Sequence, residues 1–196
     1  MISFRLVTGR LVDLEALTTA DVDPHAIGWA LSMLCRFGGH MPVFYSVAQH
    51  CVEVSQRMDC GQNPSPAWER ELRLAGLLHD AAEGLGLGDI IGPVKRYLAR
   101  QPEIHALEAK LERAVETRFG LSRGLFSHPL VKIADRACCH REQLDLRKGG
   151  APAGADDERA EELPVGDWER PIVAWSQPMA YMRFMQRLGN LQGAPA

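Results

Sequence analysis

The spacing of apolar positions divides the chain into a short N-terminal stretch of period two and a long remainder of helical period. Residues 2–13 contain ISFRL and RLVDL on either side of Thr8-Gly9, with apolar and polar residues alternating. That predicts a short strand or a small hairpin. From Asp23 the pattern changes: Asp23 suits an N-cap, Pro24 a first helical position, and Ile27, Ala30, Leu31 and Leu34 share one face. This helix is predicted to stop near Gly38-Gly39. A second is predicted over 43–58, with Pro42 near its start. A third opens at Ser65-Pro66 and runs to about Glu83 on Leu72, Ala75, Leu78 and Ala82, until Gly84, Gly86 and Gly88 break it.

Pro93 opens a short helix to Leu98, and Pro102 a longer one with Ile104, Leu107, Leu111 and Val115 inward. Glu108, Lys110, Glu112, Arg113 and Glu116 then form a solvated outer face. Pro129 opens a helix to about Lys148, and the last helix, 178–188, packs through Met182, Met185 and Leu188. Between them, 149–166 is rich in Gly, Ala and acidic residues and reads as a mobile acidic loop. The expected fold is all-α: one compact helical bundle spanning 1–196, with its core over about 23–148 and a short strand or hairpin ahead of it.

Composition narrows the function. The 196 residues are 46% hydrophobic and 24% charged, ordinary for a globular chain with a sizeable core. A formal net charge of −3 supplies no basic footprint, so polymeric nucleic acid is not an expected partner, while a small anionic substrate needs only a few placed cations. No run is long enough to span a membrane, and the start lacks the apolar stretch of a signal peptide. Five cysteines, an odd number without a CxxC pair, suit free thiols in a reducing, cytoplasmic setting.

The chemistry concentrates in a few places. Leu77-Leu78-His79-Asp80-Ala81-Ala82-Glu83 sets a histidine beside an aspartate on an apolar helix. Neighbouring helical residues differ by about 100°, so both can flank one inward point, and Glu83 one turn on projects from the same face. Imidazole and carboxylate suit a divalent metal. A His–Asp pair that only stabilises the core is the alternative. YSVAQH brings a second histidine, His50, and VKIAD sets Asp135 in an apolar helix centre, where a lone carboxylate is costly unless paired or metal-bound. His25, His40, His105 and His128 read as helix, cap or loop residues. The Cys138-Cys139-His140 run lacks a second thiol pair for a zinc site, so both cysteines read as packing residues.

In the order H…HD…D, the stretches RFGGH (36–40), YSVAQH (45–50), LLHDAAE (77–83), GDIIGPVK (88–95) and KIADRACC (132–139) resemble the HD-domain metal-dependent phosphohydrolases. The closest likeness is to the 5′-deoxynucleotidase-like branch and the phage-type deoxyadenosine triphosphate hydrolases. It covers roughly 25–147. The resemblance implies His50, His79, Asp80 and Asp135 as ligands of one divalent ion, whether Mn, Co, Fe, Ni, Zn or Mg. It implies Glu83 as the catalytic glutamate and Arg36 as a phosphate-binding arginine. Phe37 stands where the close nucleotidases usually carry tryptophan. Asp89 would bind the sugar hydroxyl or position water, with Ile90, Ile91, Gly92 and Lys95 completing the substrate loop. The implied reaction is release of phosphate from a deoxynucleoside 5′-monophosphate or of triphosphate from a deoxynucleoside triphosphate, most plausibly dATP. The alternatives are a phosphodiesterase on another small phosphoester and a non-catalytic nucleotide-binding regulator. The resemblance also implies a homo-oligomer.

Overall fold

The structure, a computed structural model, describes residues 2–98, 100–147 and 167–193. The predicted acidic loop 149–166 lies outside the described residues. An antiparallel hairpin of β1 (Ser3–Arg5) and β2 (Leu11–Asp13), with Phe4 opposite Val12, leads into seven α-helices. These are α1 (Pro24–Met33), α2 (Val47–Arg57), α3 (Pro66–Leu78), α4 (Gly92–Leu98), α5 (Pro102–Phe119), α6 (Pro129–Leu146) and α7 (Gln177–Gln192). The described chain is thus predominantly helical. None of its helices is long and apolar enough to cross a membrane.

The predicted caps form where the sequence offers them. The Asp23 carboxylate accepts from the His25 and Ala26 N–H groups, and the Ser65 hydroxyl from Trp68 N–H. Three boundaries differ from expectation. α1 ends at Met33, five residues before Gly38, because Arg36–Gly39 winds into a tight turn of its own. α2 starts at Val47 rather than near Pro42, since the Ser46 hydroxyl caps Gln49 N–H. α3 ends at Leu78, and the chain then enters one widened, π-type turn, Glu83–Leu87. Gly84 does not break a helix there. A Cβ on it would lie 3.1 Å from Leu31 Cγ and 3.2 Å from the Ile27 carbonyl, so its bareness lets the widened turn lie against α1.

α2 is the axis of the fold and packs against α1, α3, α6 and α7. Ten of its eleven residues are buried, including Gln49, His50, Glu53, Ser55 and Arg57. Polar groups survive there only when satisfied. Arg57 pairs with Glu53 at 2.7 Å and donates to the Asp167 and Arg170 carbonyls, while the Gln49 amide serves Val173 O and Trp175 N–H. These bonds strap residues 167–175 across the bundle. Around α2 the core gathers Ile27, Leu31, Leu72, Leu77, Leu111, Val131 and Phe184, all at most 1% exposed. Each such side chain contributes about 1.5–3 kcal/mol by leaving water.

Two packing expectations are corrected. Met182 is 52% exposed, while Leu188 is buried and Met185 packs against the core as expected, joined on the inner face of α7 by Ala180 and Phe184. The charged face of α5 is not uniformly solvated: Glu116 is buried and accepts from Gly124 N–H, and Lys110 donates to the Leu14 and Glu15 carbonyls. The segment after β2 and the loop after α5 fold onto that face, which sequence periodicity within the helix does not register.

Candidate metal centre

Three helices bring the predicted ligands together. His50 projects from the middle of α2, His79 caps the end of α3 with Asp80 immediately beyond, and Asp135 sits in the second turn of α6. His50 Nε2 lies 3.3 Å from His79 Nε2, 3.1 Å from Asp135 Oδ1 and 3.8 Å from Asp80 Oδ2. His79 Nε2 lies 3.3 Å from Asp80 Oδ2 and 3.7 Å from Asp135 Oδ1. Donors about 2.1 Å from one cation stand roughly 3.0–3.4 Å apart at its coordination edges; three of the five separations fall in that range, and those of 3.7 and 3.8 Å lie a few tenths of an ångström beyond it. Both imidazoles are buried, whereas the Asp80 and Asp135 side chains keep 13% and 28% of their surface, so the cluster opens on the carboxylate side.

The imidazoles are oriented for ligation. His79 Nδ1 lies 2.8 Å from the Gly76 carbonyl, which can only accept, so Nδ1 carries the proton and Nε2 is left as a lone-pair donor. His50 Nδ1 lies 2.6 Å from Glu142 Oε1, a fully buried carboxylate. Such partners on the far nitrogen are the usual support of metal-binding histidines.

The charge count points the same way. Asp80, Asp135 and Glu142 surround the two imidazoles, and Arg36 is the guanidinium among them, 3.1 Å from Glu142 Oε2 and 3.5 Å from Asp80 Oδ2. With both imidazoles neutral, as ligation requires, three carboxylates against one guanidinium leave two negative charges for a divalent cation to offset. Burial works against ionising Asp80, but His79 and His50 hold its carboxyl below the usual range. Asp135 is held well below it in spite of burial, through its hydrogen bonds with both imidazoles. Burial and Arg36 disfavour a charged His50, yet Glu142 and Asp135 outweigh them and lift its pKa to about 9. The cluster therefore attracts positive charge.

Glu83 stands beside this cluster at the start of the widened turn. Burial, with the charge of Asp80 adding to it, pushes its carboxyl up to about 9. Its Oε2 is buried with no hydrogen-bond partner among the described residues. A cleft opens here, walled by His79, Asp80, Glu83, Leu87, Ile90 and Lys95.

The two predicted substrate segments meet at the rim. Asp89 Oδ2 accepts from Gly38 N–H at 3.0 Å, and a Cβ on Gly38 would lie 3.2 Å from Ile91 Cγ2. Gly92 opens α4. Arg36 N–H donates to Tyr45 O, which holds the turn against the entry to α2, and the Arg36 guanidinium stacks 5.2 Å over the Phe37 ring. Phe37 itself has φ 58°, a left-handed conformation that costs a bulky residue about 1–3 kcal/mol and concentrates at functional sites. Lys95 bonds to Glu108 at 3.1 Å. Arg36 is buried and engaged by two carboxylates, Glu142 and Asp80.

Among the discounted residues, His128 caps α6, accepting from Leu130 N–H, and His25 Nδ1 contacts the Tyr181 hydroxyl. Cys138 is fully buried with its thiol 3.4 Å from Glu142 Oε1, while Cys139 is half-buried. Glu142 itself is the residue missed by sequence reasoning. It lies seven residues after Asp135, two turns along the same face, and on the buried stripe of Val131, Ala134 and Cys138. The charged wording HREQLD disguised it as a solvated residue.

Fold and site together define a helical protein with a buried His–Asp cluster able to hold a divalent cation. No model of a known protein family matches the chain. It is 31% identical over 177 residues to the uncharacterized protein YfdR of Escherichia coli (strain K12), a match covering 90% of this chain and 88% of that protein. It is 35% identical over 157 residues to the uncharacterized protein RCAP_rcc00048 of Rhodobacter capsulatus, covering 78% and 76%. The chain belongs to the family of these proteins.

Proposed function

We propose that this chain is a divalent-cation-dependent phosphohydrolase of the HD type, acting on a small deoxynucleotide. The observation that carries the reading is that the Nε2 atoms of His50 and His79 lie 3.3 Å apart and each within 3.1–3.8 Å of both Asp80 and Asp135, with both Nδ1 atoms committed elsewhere. When bound, a divalent cation polarises a phosphoryl oxygen and lowers the pKa of a coordinated water.

The other groups are suited to the rest of the reaction. Glu83 has an unpartnered carboxyl oxygen at the cleft and, with its proton held, can orient the attacking water and protonate the leaving oxygen. Arg36 presents a planar fork beside the cluster, matched to phosphate oxygens. Asp89 holds the Arg36–Gly39 turn to the loop that carries Ile90 and leads into α4 with Lys95, so the rim closes around the reacting end of a substrate. Leu87 and Ile90 give the cleft apolar walls on which a base or sugar can lie.

A substrate panel tests this. Metal-free protein is resupplied with Mn²⁺ or Co²⁺ and offered dAMP, dCMP, dGMP and dTMP, their triphosphates and the ribose forms. Orthophosphate and triphosphate are measured separately. The expected outcome is cation-dependent release from at least one. Orthophosphate from monophosphates defines a 5′-nucleotidase, and triphosphate from one nucleotide defines a triphosphohydrolase. No cation-dependent release from any of them overturns the reading.

A further inference from the structure

We propose that Glu142 is a positioning residue for the cluster, one carboxylate that fixes the ligating form of His50 and sets Arg36 against Asp80. The inference rests on the proposed metal-dependent reading. Glu142 is fully buried, and each of its oxygens meets a different site group: Oε1 lies 2.6 Å from His50 Nδ1 and Oε2 accepts from Arg36 Nε at 3.1 Å. Neither partner is local in sequence, so the carboxylate ties α6 to α2 and to the Arg36–Gly39 turn. The other buried pair of the bundle, Glu53–Arg57, is by contrast a one-turn contact within α2.

Two features separate positioning from simple core pairing. A carboxylate can only accept, so its contact with Nδ1 keeps the proton there and leaves Nε2 facing His79, Asp80 and Asp135. Arg36, anchored through Nε, then reaches Asp80 Oδ2 with Nη1 at 3.5 Å. One group thus governs both a cation ligand and the cation-like side chain next to it. His50 Nδ1, the Cys138 thiol and Glu142 Oε1 also lie within 4.8 Å of one another. A second metal there would sit against the Arg36 guanidinium already on Glu142, so the set reads as support for the first site.

Glu142→Gln is the discriminating variant. An amide has one acceptor oxygen and a donating nitrogen, so at most one of the two contacts survives. Calorimetric titration of Mn²⁺ into metal-free protein should show affinity about 10–100-fold weaker than in the unaltered chain. Binding of orthophosphate to the Mn²⁺-saturated variant should also weaken several-fold. A far-ultraviolet melting curve establishes that the variant folds. ¹⁵N imidazole spectra of the unaltered, Zn²⁺-loaded chain give a second readout that needs no variant: Nδ1 of His50 should be protonated, with its proton far downfield. If Glu142→Gln does not fold, these spectra decide alone. A folded variant with unchanged Mn²⁺ affinity, or a His50 whose Nδ1 lacks the proton, overturns the proposal. Unchanged orthophosphate affinity overturns its Arg36 half. If the unaltered chain binds neither Mn²⁺ nor Zn²⁺, the metal-dependent reading falls and takes this one with it. If that chain binds and hydrolyses while the variant binds equally, only the positioning role falls.

Discussion

The floor of the site stands on helices, and its rim on turns. His50, Asp135 and Glu142 project from the interiors of α2 and α6, and His79 caps α3. His50, His79 and Glu142 are almost withdrawn from solvent, and each has a partner that dictates its orientation. The rim is the Arg36–Gly39 turn and the loop leading to α4. Phe37 and Gly38 are both left-handed there, one Asp89–Gly38 hydrogen bond joins the halves, and no residue of α4 is buried. Rigid helices suit groups that must hold a cation to within a fraction of an ångström, while turns suit groups that must admit and release a ligand. Substitutions of the floor's ligands should therefore abolish cation binding, substitution of Glu142 beneath them should weaken it, and those in the rim should alter ligand affinity and leave cation binding intact.

The largest effect is expected at Asp80. Asp80→Ala removes one of the converging donors and the carboxylate opposite Arg36 Nη1. It should lose stoichiometric Mn²⁺ binding by calorimetry and at least about 1,000-fold in turnover, since the cation supplies several kcal/mol and each 1.36 kcal/mol is tenfold. Glu83→Gln comes next. It should keep Mn²⁺ affinity and lose roughly 10²–10⁴-fold in kcat, and an unchanged kcat would remove Glu83 from the proton-handling role.

Gly38→Ala probes the rim. Its φ of 58° and the Ile91 Cγ2 atom 3.2 Å from the new Cβ should cost about 1–2 kcal/mol in a denaturant melt. KM should rise with Mn²⁺ affinity unaltered, so weaker cation binding in this variant would erase the distinction between floor and rim. The smallest effect is expected at Lys95. Its ammonium pairs with Glu108 from a half-exposed position, so Lys95→Met should change stability by less than about 1 kcal/mol and act on KM alone.

How much was legible in the sequence follows the same division. His50, His79, Asp80 and Asp135 stood out because each interrupts an apolar helical stripe, and the structure brings all four together. The contact between RFGGH and GDIIGP, with Asp89 bonded to Gly38, was not predicted, since nothing in either segment marks the other as its partner. Glu142 was not legible, because a buried carboxylate inside HREQLD is written like a solvated one and only its distant partners distinguish it. The start of α2 was misplaced because Pro42 is a weaker local signal than the Ser46 cap four residues later. The buried Glu116 and the engaged Lys110 on α5 escaped for a related reason: their partners come from loops that helical periodicity does not see.

The most direct test is calorimetric titration of Mn²⁺ into metal-free protein, with the bound ion counted per chain. The account predicts one tightly held ion per chain in the unaltered protein and none in His79→Ala. Heat-free titration of the unaltered chain, or equal binding by His79→Ala, would contradict it.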